Sequence, residues 1–219
     1  MKIKLAERFH NDRPAYTKSK TGYIKDVLER AKLWRFPPEG SDYIIVDLEA
    51  TCWETGQHTN RMEIIEIGAV RIDSKTKEPL DDFSIFVHPT EEPTLSDFCK
   101  KLTSITQPDI DNALLFPDAF EKFLEWVGDG PHRFCSWGAY DLKQFRVDCD
   151  RNNIPMPDWL EPHVNLRRMF SAKREIPSTT MIQALEILNI PLSGQHHRGI
   201  DDARNIAKIA KIILPYLGL

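Results

Sequence analysis

Glycine is scarce in this chain, with 10 among 219 residues, and no Gly-x-Gly-x-x-Gly follows its first candidate strand. That excludes a dinucleotide-binding enzyme. No apolar run approaches the roughly 18 residues of a membrane span. Met1-Lys2-Ile3-Lys4 leads into no signal-peptide core, so no membrane partner is expected. The four cysteines (Cys52, Cys99, Cys135 and Cys149) lack Cys-x-x-Cys spacing and sit in apolar surroundings. Reduced, structural thiols in a cytoplasmic protein fit that pattern better than a zinc site or disulfides. Internal repeats and low-complexity tracts are also missing. What remains, 41% hydrophobic and 28% charged, is ordinary for a globular chain long enough for one α/β domain with an appendage.

The small net charge of −4 hides an asymmetry. Residues 1–36 carry ten Lys/Arg against four Asp/Glu, a net of +6, which leaves −10 for the rest. Tyr23–Phe36 has the spacing of one amphipathic helix, and Pro37-Pro38-Glu39-Gly40 reads as a linker. The expected division is a basic N-terminal extension and linker over 1–40 and a domain over 41–216. A basic arm beside an acidic body offsets the body's repulsion of a polyanion.

The domain is organised around Tyr43–Trp53, YIIVDLEATCW. Tyr43–Val46 has the β-branched and aromatic composition of a buried strand, yet Asp47 and Glu49 follow at once. In an extended chain these two acids point to the same face, about 7 Å apart at Cα. Two such carboxylates repel unless a cation lies between them, and a hard divalent metal suits that position. The competing reading is a strand that runs out into a polar turn.

Further strands are expected at Ile64–Ile72, Asp82–Val87 and His132–Trp137, the first three strands forming an antiparallel meander. Helices are expected at Leu95–Leu102, Phe116–Val127, Asp141–Asn152, Leu166–Ala172, Ser178–Leu188 and Ile200–Leu214. Thr106–Asp111 reads as a turn and Glu54–Arg61 as a polar loop. A mixed sheet flanked by helices follows.

Two later segments supply more acids. Asp141 comes just past the fourth strand, where an N-cap is the simpler explanation. In the last helix Asp202 shares a face with Ile206, Ile209 and Ile213. Burying a carboxylate on an apolar stripe is costly unless it is paired or bound to metal. Asp201 beside it reads as a solvated first-turn acid. His197 lies on the loop just before, and His196 reads as an ordinary surface histidine.

Asp-x-Glu on strand one, Asp after strand four and His-x-x-x-x-Asp at the last helix resemble, in that order, the DEDDh 3′→5′ exonucleases of the ribonuclease H-like superfamily, relatives of RNase T and the DNA polymerase III epsilon subunit. The stretches Asp47–Cys52, Leu95–Cys99 with Leu102–Gln107, and Gly199–Ile206 bring the resemblance nearest to the Eri/KapD-like 3′ histone-mRNA exonuclease group. It covers about residues 42–214. No SAP-type module is seen in residues 1–40, which weighs against histone stem-loop recognition, and Tyr140 stands where that enzyme has Trp.

The resemblance implies a ribonuclease H-like fold and single-strand 3′→5′ cleavage releasing nucleoside 5′-monophosphates, on RNA more than DNA. It implies that Asp47, Glu49, Asp141 and Asp202 hold two Mg²⁺ ions, with Mn²⁺ able to substitute. Glu49 and His197 are its catalytic residues, His197 as general base. Phe98 and Tyr140 would stack on the terminal bases, with the Ala50 backbone at the terminal ribose. Core packing beside Leu95 and Leu102 is the other reading of Phe98, and Trp137 reads equally as core. A catalytically silent nucleic-acid-binding or scaffold module is the competing function, and a homodimer is left open.

Overall fold

The structure is a computed structural model and describes residues 40–55 and 61–215. The Tyr23–Phe36 helix and most of the basic extension lie outside the described residues, as do residues 56–60 of the polar loop. The β-branched run of the organising segment does form a central strand, β1 (Asp42–Ala50), but the strand continues through both acids. It pairs antiparallel with β2 (Ile64–Ile72), which pairs antiparallel with β3 (Pro79–His88), giving the expected meander. β5 (His132–Ser136) adds parallel to the other side of β1.

Two strands of two residues each escape periodicity altogether. β4 (Leu114–Leu115) pairs parallel with β3, and β6 (Val164–Asn165) pairs parallel with β5. The six strands run in the order β4-β3-β2-β1-β5-β6. β3 also begins earlier than expected, at Pro79. Its register partner there is Ile72, at an irregularity where proline's missing N–H is tolerated.

Seven helices follow among the described residues: α1 (Asp97–Thr103), α2 (Gln107–Asp111), α3 (Phe116–Val127), α4 (Tyr140–Arg151), α5 (Leu166–Arg174), α6 (Met181–Ile187) and α7 (Gly199–Ile213). Ser96 caps α1, its hydroxyl accepting from the Cys99 N–H, so the helix starts two residues later than Leu95. Thr106 and Asp109 form a reciprocal capping box that makes the expected turn at 106–111 the short helix α2. None of these helices is long and apolar enough to cross a membrane.

Strand alternation sorts β1 between two cores. Ile44, Val46 and Leu48 pack with Phe120, Phe123, Phe134 and Phe145 on the α3/α4 side. Tyr43 and Ile45 pack with Ile206, Ile209 and Ile213 of α7 on the other. Each fully buried Phe or Ile contributes roughly 1.5–3 kcal/mol of transfer free energy. Continuing the alternation, Asp47 and Glu49 fall on the α7 side. All four cysteines are unpaired, three of them buried and Cys52 half-buried, as the sequence suggests.

Candidate active site

α7 reaches β1 and β2 by main-chain contact. A Cβ on Gly68 of β2 would lie 2.0 Å from the Gly199 carbonyl carbon, and one on Gly199 would lie 2.9 Å from the Asp47 carbonyl oxygen. Only glycine at both positions lets the helix start this close to the strands. Glu66 of β2, fully buried, then fastens that start. Its Oε2 accepts from Arg198 Nε and from the Gly199 N–H, each at 3.0 Å, and the Ser84 hydroxyl donates to Oε1 at 3.3 Å. A carboxylate at a helix N-terminus is stabilised by the exposed N–H groups and the dipole.

With α7 seated, Asp202 meets the two acids of β1. Asp47, Glu49 and Asp202 each offer one carboxylate oxygen, all within 4.8 Å of one another. Asp141 joins from the opposite side as the second residue of α4. Its Oδ1 accepts from the Leu48 N–H at 3.1 Å, the amide between Asp47 and Glu49. It is therefore not the N-cap of α4, which is Ala139.

Electrostatics follow the geometry. Burial, then the charges of Asp141, Glu49 and Asp202, push the Asp47 pKa well above the usual carboxylate range. Burial and then Asp202 push Glu49 up to about 9. Burial raises Asp141 to about 6, against the lowering effect of hydrogen bonds from Ser136 and the Leu48 N–H. Carboxylates gathered this tightly are costly without a counter-charge. Moreover, Asp202 Oδ1 is buried with no hydrogen-bond partner. A hard cation bound by oxygen ligands would satisfy both conditions, so the donor set fits a divalent metal.

The histidine loop departs from expectation. His197 adopts φ of 65°, and its backbone N–H donates to Asp202 Oδ2 at 3.0 Å. The His196 ring, read as an ordinary surface group, places Nδ1 2.8 Å from the same oxygen. The turn at His197 converges both groups on one carboxylate and stacks the two rings at 3.9 Å between centroids. Burial, then the neighbouring His196, lowers the His197 pKa, which favours neutral imidazole near pH 7.

Asp201 is likewise more than a solvated acid. Its Oδ2 accepts from the Gln195 N–H at 2.8 Å, and it pairs with Arg204 at 3.4 Å, bracing the turn that leads into the histidines.

Asp47, Glu49, Asp141, His197 and Asp202 line one cleft of about 390 Å³, together with Ala50, Trp137, Tyr140, Arg167 and the His196 ring. Tyr140 is 42% exposed there. Phe98 is 37% exposed and is not among the residues that line the cleft; Leu102, one helical turn further along α1, is. Trp137 does both jobs: it packs against the α7 core, donates to the Thr179 carbonyl at 3.3 Å, and still borders the cleft.

Sequence reading missed Glu66 and the Ser136–His163 pair behind Asp141, whose Oγ and Nε2 lie 2.9 Å apart. A signal for Glu66 was present, a lone acid inside the apolar run IIEIGAVRI. Nothing local marks His163.

The Exonuclease family profile matches residues 44–210. The chain is 34% identical over 203 residues to 3′-5′ exonuclease eri1 of Schizosaccharomyces pombe, covering 77% of this chain and 66% of that protein. It is 31% identical over 215 residues to 3′-5′ exoribonuclease 1 of Homo sapiens, covering 88% and 62%. Thus the chain spans no more than 66% of the length of either relative. Among solved structures, the nuclease domain of 3′hExo, a DEDDh family member bound to rAMP, superposes with a TM-score of 0.76 at 31% identity, covering 82% of this chain and 94% of that one. A sheet of this order, a cluster of acids between its central strand and last helix, and likeness along nearly the whole of a solved DEDDh domain converge: the chain belongs to the exonuclease family, in the Eri1 group of its DEDDh branch.

Proposed function

We propose that this protein is a divalent-metal-dependent 3′→5′ exonuclease that releases nucleoside 5′-monophosphates from single-stranded RNA, in the cytoplasm. The observation that carries the reading is the approach of Asp47, Glu49 and Asp202 oxygens to within 4.8 Å of one another, with Asp202 Oδ1 buried and unbonded. Asp47, Glu49, Asp141 and Asp202 would hold the metal, Mg²⁺ by preference with Mn²⁺ able to replace it. When bound, the metal supplies the positive charge that phosphoryl displacement needs at neutral pH.

The chain's own groups do the rest. His197, neutral at pH 7, accepts the proton of the attacking water at a ring nitrogen, a contribution of about 10²–10⁴-fold. Glu49 fixes the metal-side position of that water, so Glu49 and His197 form the catalytic pair. Asp202 holds the histidine loop through the His197 N–H. Phe98 and Tyr140 present exposed ring faces for the terminal bases, and base–aromatic stacking is worth about 1–3 kcal/mol each. The Ala50 backbone faces the terminal ribose.

RNA preference is supported by the exoribonuclease names of the relatives and by the ribonucleotide in the 3′hExo nuclease domain. A 2′-hydroxyl that donates and accepts is the group that separates the two polymers. The test compares 5′-labelled RNA and DNA oligomers, with free or blocked 3′ ends, in Mg²⁺ and in EDTA. A ladder shortening from the free 3′ end of RNA, absent in EDTA, is expected. Binding without cleavage under all conditions would instead indicate a silent nucleic-acid-binding module.

A further inference from the structure

Among the described residues that line the cleft, Arg167 is the lone permanent cation, facing four acids across the same space. Its side chain makes no hydrogen bond or ion pair with any of them, nor with any other described residue. Its guanidinium instead lies along the loop that joins β5 to α4. Its Nη2 would sit 3.4 Å from a Cβ on Gly138, and its Cζ 3.6 Å away. That loop delivers Tyr140 and Asp141, so the charge is held beside them and left open.

The local structure gives no other reason for a cation here. Arg167 is the second residue of α5, whose first turn contains no acid to balance it. A positive charge in the first turn of a helix opposes the dipole, and the N-terminal end attracts anions instead. The side chain is exposed, so burial of its stem does not explain it either. An unpaired guanidinium beside an acidic cleft is suited to an anion that arrives with the substrate. Its planar fork matches two phosphate oxygens at once.

We propose that Arg167 binds the phosphodiester immediately upstream of the scissile one. This rests on the exonuclease reading, with Asp141 on the side of the leaving 3′-oxygen as the resemblance to the DEDDh exonucleases implies. That oxygen belongs to the penultimate nucleotide, and the next phosphate along the strand is the one on that nucleotide's 5′ side. Arg167 lies against Gly138, three residues before Asp141, so a strand retained on the Asp141 side of the cleft runs past its guanidinium. The residue thus acts on the part of the strand that stays bound, and makes a polymer end a better substrate than a lone nucleotide ester.

The experiment uses the full chain and two substrates. One is a single-stranded RNA oligomer. The other is the p-nitrophenyl ester of a nucleoside 5′-phosphate, which has a scissile phosphate and no upstream one. Arg167→Ala is expected to raise KM for the oligomer by about tenfold, the scale of one charge-assisted hydrogen-bonded contact, with kcat near wild type. Ester hydrolysis should be unchanged. A neutral methylphosphonate at the upstream linkage should bring wild type to the variant's KM and leave the variant where it was. In binding, the slope of log K against log[salt] should flatten by about 0.7 in Arg167→Ala and be kept in Arg167→Lys. Equal losses on ester and oligomer, an unchanged oligomer KM, or parallel salt slopes would overturn the proposal. If wild type binds the oligomer but cleaves neither substrate, the exonuclease reading fails by itself, and the salt slopes and methylphosphonate affinities still decide the role of Arg167.

Discussion

Glu66 Oε2 lies 3.0 Å from both Arg198 Nε and the Gly199 N–H, so one buried carboxylate joins β2 to the first turn of α7. Glu66→Gln removes the charge that faces both. Breaking a buried pair costs about 3–5 kcal/mol, and the partial exposure of Arg198 argues for the lower end. Chemical denaturation should show a loss of about 3 kcal/mol. Divalent-cation affinity should fall as well, because Asp202 loses the support of its helix start. Unchanged cation affinity in a folded Glu66→Gln protein would show that Asp202 is placed by other contacts.

Asp47→Asn should abolish nuclease turnover while stabilising the metal-free fold. The replacement removes one member of a carboxylate cluster in which burial first, and then the neighbouring acids, raise the pKa of Asp47. Wild type should gain stability on adding Mg²⁺, about 2.7 kcal/mol at a hundred times Kd. The variant should gain much less. Thermal melts of both proteins in EDTA and in Mg²⁺ measure these differences, and turnover by rigorously purified Asp47→Asn would falsify the metal-ligand assignment.

His197→Ala should keep oligomer and metal affinity near wild type and lower the catalytic rate by about 10²–10⁴-fold. His196 now needs its own prediction, because its ring contacts Asp202. His196→Ala should cost about 1 kcal/mol of stability in EDTA, the scale of one hydrogen bond, and little turnover in saturating Mg²⁺. Single-turnover rates decide between them. A large rate loss in His196→Ala with none in His197→Ala would move the base to His196.

Much of this site is legible in the sequence because its ligands obey local periodicity. Asp47 and Glu49 are read from period two, and Asp202 from the helical stripe it shares with Ile206 and Ile209. The boundaries of β2 and α3 are also local, set by an apolar run and by Pro117 and Gly128, and both emerge as expected. β4 and β6 are only two residues long, too short for any period, and exist because a neighbouring strand pairs with them. The extension of β1 through its acids is likewise decided by β2, whose Gly68 and Glu66 stand opposite Asp47 and Glu49. The contacts of His196 and Asp201 depend on a left-handed turn at His197, which a non-glycine residue does not announce.

A pH effect should originate behind the metal ligands, at His163. Burial lowers its pKa to about 4, from an unfolded value of about 6.5. As pH falls below about 6.5, the unfolded chain takes up a proton that the folded chain refuses, so folding loses stability until about pH 4. The loss should total roughly 2–3 kcal/mol. Asp141 and Asp148, with pKa values raised to about 6, titrate in the same window with the opposite sign. They cancel in the difference between wild type and His163→Gln. That difference should be flat above pH 7 and shrink as the pH drops towards 4. A difference independent of pH would mean that His163 titrates alike in the folded and unfolded chain.

The backbone contact between Gly68 and Gly199 also bears on the birth of the protein. Glu66 and Gly199, which bind each other, are separated by 133 positions, and the last acid arrives three residues later still. During synthesis the meander and its first two acids emerge long before α7 exists. A ribosome-bound fragment that stops short of the histidine loop has neither His197 nor Asp202, and so holds an incomplete set of the residues proposed to cut RNA.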